Sequence, residues 1–180
     1  MTPQELTLIN NADIKTPFRV LTIDNMEDSL FLRKKAIDID TKDIATNKSL
    51  QDFIQRLKLT MVVESGVGIA APQVGLGRNI FLFVRLDKPD FPIDVAINPK
   101  IVNHPEEKVC FEDDGCLSVP DISDNSLRYP WIDVEYYNEN GELIKERLSG
   151  HSRGGDFTGV VFQHEFDHLD GILFTDKLCD

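Results

Sequence analysis

The 180-residue chain has no apolar run long enough to cross a bilayer, no low-complexity tract and no internal repeat, which leaves an ordinary globular domain. Basic residues are scarce: 19 Lys and Arg stand against 31 Asp and Glu, for a formal net charge of −12. So acidic a chain repels nucleic acid and anionic membranes as a whole, and no dense Lys/Arg run offers an exception. Neither stable nucleic-acid binding nor membrane association is expected. Cysteine is rare and odd in number, three in all, and the given residues contain no signal-peptide pattern. That combination predicts a reducing cytoplasm with thiols free to act as ligands. The first 17 residues are polar and contain no arginine, so they read as a surface arm or extension rather than a transit peptide. Residues 18–180 then form one domain, large enough to fold without disulfides or structural metal, so any metal is expected to be functional.

What is present is patterned. Leu50, Phe53, Ile54, Leu57 and Met61 recur at helical spacing, which predicts an amphipathic helix over 49–64, ended by Gly66 and Gly68. NIFLFVRL (79–86) reads as a short buried strand, and DVAINPKIVN (94–103) as another, interrupted at Pro99. WIDVEYYNENGELIKERL holds two strand-like runs around Asn138-Glu139-Asn140-Gly141, a hairpin signal. A further helix is predicted from Thr158 to Leu169, closed by Gly171 and apolar on several sides. Strands in one block between helices, without β-α-β alternation, predict an α+β fold whose mostly antiparallel sheets pack around a central C-terminal helix.

That helix carries QHEFDHLDG (163–171). His164 and His168, four residues apart, share a face and can reach one ion, with Glu165 as the neighbouring base. The longer metalloprotease pattern H-E-x-x-H-x-x-G-x-x-H is matched as far as Gly171, but its third histidine position is Phe174. A catalytic metal needs a further protein ligand and an open position. His104 and His151 read as exposed loop histidines, Cys179 as a bystander near the terminus and Cys110 as a buried strand residue. Cys116 follows Gly115, where backbone can approach closely, and small neighbours leave its sulfur accessible. One thiolate and two neutral imidazoles leave a divalent ion with net charge +1, which suits hydrolysis; a buried structural thiol is the equal alternative on spacing alone.

GVGIAAPQ (66–73), DGCLS (114–118) and QHEFDHLDG (163–171) together resemble the three signature motifs of the peptide deformylase family, in order and approximate spacing, and LRKKA (32–36) is similar to its N-terminal segment. The resemblance runs from about residue 18 to the end. It implies Cys116, His164 and His168 as metal ligands, Glu165 as general acid/base, and Gln73 with the backbone N–H of Leu117 as donors to a developing oxyanion. It also implies the substrate, the N-formyl group on the initiator methionine of nascent polypeptides, released as formate. One divalent metal is implied, Fe2+ as the native ion, while the Cys-His-His donor type also accommodates Zn2+, Ni2+ or Co2+. Val67, Phe157, Val160 and Val161 are the expected apolar walls of the methionine pocket, and the backbones at Gly68 and Gly115 leave room for the small formyl group. There are departures. Asp114 stands where the family commonly has glutamate, GHSRGGD (150–156) is longer than usual, and the chain lacks the basic C-terminal helix that some members use on the ribosome. Any ribosome contact is therefore expected to be transient.

GVGIAA also fits the dinucleotide fingerprint G-x-G-x-x-A, but that requires a preceding strand and a following helix, whereas here a helix precedes and Pro72 follows. A zinc endopeptidase of the H-E-x-x-H type would need a third ligand downstream, where Asp170, Asp176 and Asp180 lie too near the helix end. A catalytically inactive deformylase-like binding module would have no need to keep Gln73, Cys116 and Glu165 together.

Overall fold

The computed structural model describes residues 1–179. In chain order its elements are α1 (Pro3–Ile9), α2 (Met26–Leu32), α3 (Lys48–Val63), β1 (Gly68–Ala70), a 3-10 turn (Ala71–Val74), β2 (Ile80–Val84), β3 (Ile93–Asn103), β4 (Val109–Cys116), β5 (Val119–Arg128), β6 (Trp131–Tyr137), β7 (Leu143–Ser149), α4 (Thr158–Leu169) and a 3-10 turn (Phe174–Asp176). Every strand pair is antiparallel: five strands run in the order β1-β2-β3-β6-β7, and β4 and β5 form a separate pair. The fold is α+β, as the blocked order of strands predicts.

Alternation along β2 sets the layers. Ile80 and Leu82 join Leu50, Phe53, Leu57 and Met61 of α3 in one core, while Phe81 and Phe83 join Val161, Phe162 and Leu169 of α4 in another. The large sheet is thus sandwiched between the two helices. Phe162 is gripped edge-on by Phe81 and Phe83, with ring centroids 4.8 and 5.3 Å away. β3 continues through Pro99, with a register shift between Ile97 and Lys100 and Asn98 at φ 49°, so the residue that cannot donate sits at a bulge. Among the described residues no helix is long and apolar enough to cross a membrane.

The N-terminal extension is seated on the domain: Thr2 and Glu5 cap α1 reciprocally, Ile9 is buried, and Glu5 pairs with Arg78 at 2.6 Å. Buried Arg56 of α3 donates to the carbonyl of Ile9 (2.8 Å), a hydrogen bond that the end of α1 cannot make itself, and to that of Thr16 in the segment beyond it (2.9 Å). One sequence reading is corrected: Cys110 and Cys179 are not a core residue and a bystander. Cys110 is exposed on β4 and bonded to Cys179, with Cα atoms 6.0 Å apart. The C-terminal segment runs along β5, with Leu127 N donating to Lys177 O and Cys179 N to Asn125 O, and this brings the second sulfur across. Cys116 is the remaining free thiol, so the expectation of several free thiols does not hold.

Candidate metal and catalytic site

The site forms where the β4–β5 pair meets α4. Gln163 fixes the roll of that helix: its Oε1 accepts from Tyr129 N at 2.8 Å and its Nε2 donates to Tyr129 O at 2.9 Å. His164 and His168 consequently face the end of β4. Gly171, at φ 72°, turns the chain directly against the backbone of Arg33, where a Cβ would collide. Cys116 Sγ lies 3.2 Å from His168 Nε2, and the ligand atoms of Cys116, His164 and His168 all lie within 4.8 Å of one another.

An ordered set of carboxylates stands behind the histidines. His164 Nδ1 donates to Asp114 Oδ1 at 3.0 Å, which leaves Nε2 for the cluster. Asp114 Oδ2 accepts from Arg128 Nη2 (2.7 Å) and Ser126 Oγ (2.6 Å), and Arg128 Nη1 donates to Asp167 Oδ2 at 2.7 Å. Arg128 is 1% exposed, so both carboxylates are needed to offset its burial. Burial alone would raise the Asp114 carboxyl, yet His164, Arg128 and Ser126 outweigh it and hold the group well below the usual carboxylate range. Burial likewise disfavours charge on His164, but Asp114 and Cys116 overturn that and lift it well above its ordinary value. His168 is held well below its ordinary value by burial and by the positive charges of His164 and Arg128. A thiol and two imidazole nitrogens converging, one ring fixed by a carboxylate, is a donor set that fits a divalent metal.

Glu165 is buried beside this cluster, and burial pushes its carboxyl up to about 7. Its Oε2 is buried and has no hydrogen-bond partner among the described residues, and the residue lines the cleft. Gly68 of β1 makes room for it: a Cβ there would sit 2.8 Å from both Cγ and Cδ of Glu165. Gln73, buried in the 3-10 turn after β1, accepts from Ala70 N at 2.8 Å through Oε1. Its Nε2 points at Cys116 Sγ (3.6 Å) and Ser118 Oγ (3.2 Å). Among the described residues the backbone N–H of Leu117 finds no partner.

A cleft of about 520 Å³ opens onto these groups. Val67, Gly68, Gly115, Phe157, Val160 and Val161, named from sequence, all line it, together with Gln73, Cys116, His164 and Glu165. Sequence reasoning missed Phe111, the Leu117 side chain and Arg153, which also line the cleft, and the supporting roles of Asp114, Arg128 and Asp167. Strict strand alternation would have turned Phe111 away from Asp114 and Cys116, and the irregularity at Asp113 (φ 56°) that brings it to the cleft is not readable from spacing; a buried arginine in NSLRYP carries no signal either. His104 stacks on Tyr129 at 3.9 Å outside the cleft, and His151 is exposed.

The polypeptide deformylase family model matches residues 20–180. Among curated relatives, a peptide deformylase of Christiangramia forsetii is 39% identical over 160 residues, covering 82% of this chain and 76% of that protein. One from Thermotoga maritima is 40% identical over 148 residues, covering 82% and 80%. The crystal structure of a Thermotoga maritima peptide deformylase superposes with a TM-score of 0.76 at 32% identity, covering 91% of this chain and 99% of that one. A class I type b peptide deformylase from Acinetobacter baumannii, bound to Met-Ala-Ser, superposes with a TM-score of 0.77 at 28% identity, covering 91% and 99%.

Proposed function

Because this chain belongs to the polypeptide deformylase family, and so is a metal-dependent hydrolase that removes the N-formyl group from the initiator methionine of nascent polypeptides as formate, we propose that Cys116, His164 and His168 hold its metal and that Glu165 moves the protons. The observation that carries this assignment is the convergence of the three ligand atoms within 4.8 Å with Glu165 buried beside them. A divalent metal bound there supplies Lewis-acid polarisation and eases the deprotonation of water. Fe2+ is the proposed native ion, with Zn2+, Ni2+ or Co2+ as substitutes accepted by the same donor types.

The residues divide the remaining chemistry. Glu165, raised to about 7, can take a proton from the attacking water and return it to the leaving amine. Gln73 Nε2 and the Leu117 N–H donate to the carbonyl oxygen as it gains charge, and each such donor typically supplies about 10²–10³ in rate. Asp114 holds His164 in one tautomer through a 3.0 Å hydrogen bond, and its shorter side chain reaches as needed despite the departure from the family's usual glutamate. Val67, Phe157, Val160 and Val161 give the methionine side chain apolar walls, while Gly68 and Gly115 flank the cleft with bare backbone.

Residues 18–180 are the proposed catalytic unit, with 1–17 an extension docked on it. A cytoplasmic site of action, with transient ribosome contact, follows from where formylated nascent chains are made. Glu165→Gln tests the assignment: the amide matches the acid in shape but cannot take a proton, so metal content and fold should persist while formate release from a formyl-Met peptide falls by about 10²-fold or more. Near-normal turnover would remove Glu165 from its role.

A further inference from the structure

Arg153 stands apart from the other arginines around the cleft. It lies in the segment between β7 and α4, is exposed, lines the cleft, and makes no hydrogen bond or ion pair with any described residue. Arg128 and Arg33, by contrast, are paired with carboxylates. What holds Arg153 is aromatic: its guanidinium carbon lies 5.3 Å from the ring centroid of Phe157 and 5.7 Å from that of Phe111. Those two rings are packed on each other, with centroids 5.5 Å apart, and both line the cleft. Contact with two ring faces restrains the cation at the rim without neutralising it.

An exposed charge left unpaired in a chain of net charge −12 is available to a ligand. The rest of the cleft lining bears no other cationic side chain apart from His164, which is buried and paired with Asp114. Within the cleft, Arg153 is therefore the group placed to attract an anion. Phe157 precedes His164 by seven residues, which places the aromatic pair and Arg153 about two helical turns from the metal cluster. An extended peptide whose first side chain enters the apolar part of the cleft sends its third side chain to the same side, roughly 7 Å further along.

We infer that Arg153 is a specificity residue, selecting formyl peptides that carry a carboxylate on the side chain of their third residue. The inference rests on the reading of this cleft as the formyl-peptide site. Its energy is that of a partly exposed ion pair, so the expected preference is modest, about two- to fivefold in kcat/KM. Because the contact is remote from the reacting atoms, the preference should appear in KM and leave kcat alone.

The experiment uses the metal-loaded full chain and measures formate release from formyl-Met-Ala-Glu, formyl-Met-Ala-Gln and formyl-Met-Glu-Ala, each as its C-terminal amide so that the glutamate side chain is the sole carboxylate. The wild-type protein should favour the first over the second about two- to fivefold, through KM, and lose that preference in 0.5 M salt, where the Debye length falls to about 4 Å. Moving the glutamate to the second residue should abolish it. In Arg153→Gln the Glu/Gln ratio should fall to one or below, Arg153→Lys should keep part of it, and Arg153→Glu should invert it. A loop change without a charge contact would alter both tripeptides equally and leave the ratio untouched. Equal kcat/KM for the first two peptides, or a preference that survives in Arg153→Gln, overturns the assignment of Arg153. Absence of formate from every peptide overturns the reading of the cleft instead.

Discussion

Gly68→Ala isolates the placement of Glu165 from everything else in the site. Gly68 is not among the residues with positive φ, so alanine can take its backbone conformation in β1 without strain. The perturbation is the added methyl alone. That Cβ would lie 2.8 Å from Glu165 Cγ and Cδ, against 3.4 Å for ordinary contact, so the carboxylate must withdraw by at least about half an ångström. It cannot swing freely, because it is buried at the junction of β1 and α4. Misplacement of a reacting group by 1 Å costs roughly 10²-fold, so a tenfold to hundredfold loss in kcat/KM is expected, about 1.4–2.7 kcal/mol in barrier. The three atoms nearest the new methyl all belong to Glu165 and none to a metal ligand, so metal content should persist. Steady-state formate release, metal analysis and far-ultraviolet circular dichroism would be compared with Gly77→Ala, where the nearest atom to a new Cβ is 3.9 Å away. Activity within threefold of wild type in Gly68→Ala, with metal and fold intact, would refute the claim that the Gly68–Glu165 approach sets catalytic geometry.

Other features give outcomes of their own. Asp114→Asn removes the carboxylate that orients His164 and should weaken metal affinity about 10–100-fold in competition with a chelator; unchanged affinity would make that hydrogen bond incidental. Opening the Cys110–Cys179 bond, which spans 69 residues, should destabilise the protein by up to about 4 kcal/mol in denaturant unfolding. Cys179→Ser should show the same lower midpoint with or without reductant, and a wild-type midpoint indifferent to reductant would contradict the pairing. Arg78 holds Glu5 below its ordinary value of 4.5, so the pair stabilises the docked arm above that pH and loses hold as pH falls through the lowered value. Protection factors of the amides in residues 3–9, taken relative to the intrinsic exchange rate at each pH, should therefore fall in acid, and Glu5→Gln should flatten that response.

The parts of this molecule that were legible in sequence are those encoded by local periodicity. The bounds of α4, the Asn138–Gly141 hairpin and the double-sided burial of NIFLFV follow from spacing and turn chemistry, and the positions of Cys116, Gln73 and Glu165 follow from motifs. What stayed hidden depends on contacts between distant segments. No local pattern pairs Cys110 with Cys179 or tells Arg56 to cap the end of α1. Arg128 reads as a surface cation until two carboxylates, from β4 and α4, are brought to it by the fold. Arg153 reads as a solvated loop residue until Phe111 and Phe157 are placed beside it.

Helix α4 is buried along nearly all its length, with Phe166 as its one residue not counted as buried. The same twelve residues fill the core beneath the large sheet and carry the reactive groups, so nearly any replacement there alters stability and turnover together. Adaptation to a different substrate, or escape from an inhibitor seated in the cleft, has little room on that helix. Heritable variation should instead accumulate in the exposed rim segments around Val67 and Arg153, where a side chain can change what the cleft accepts without unsettling what holds the protein together.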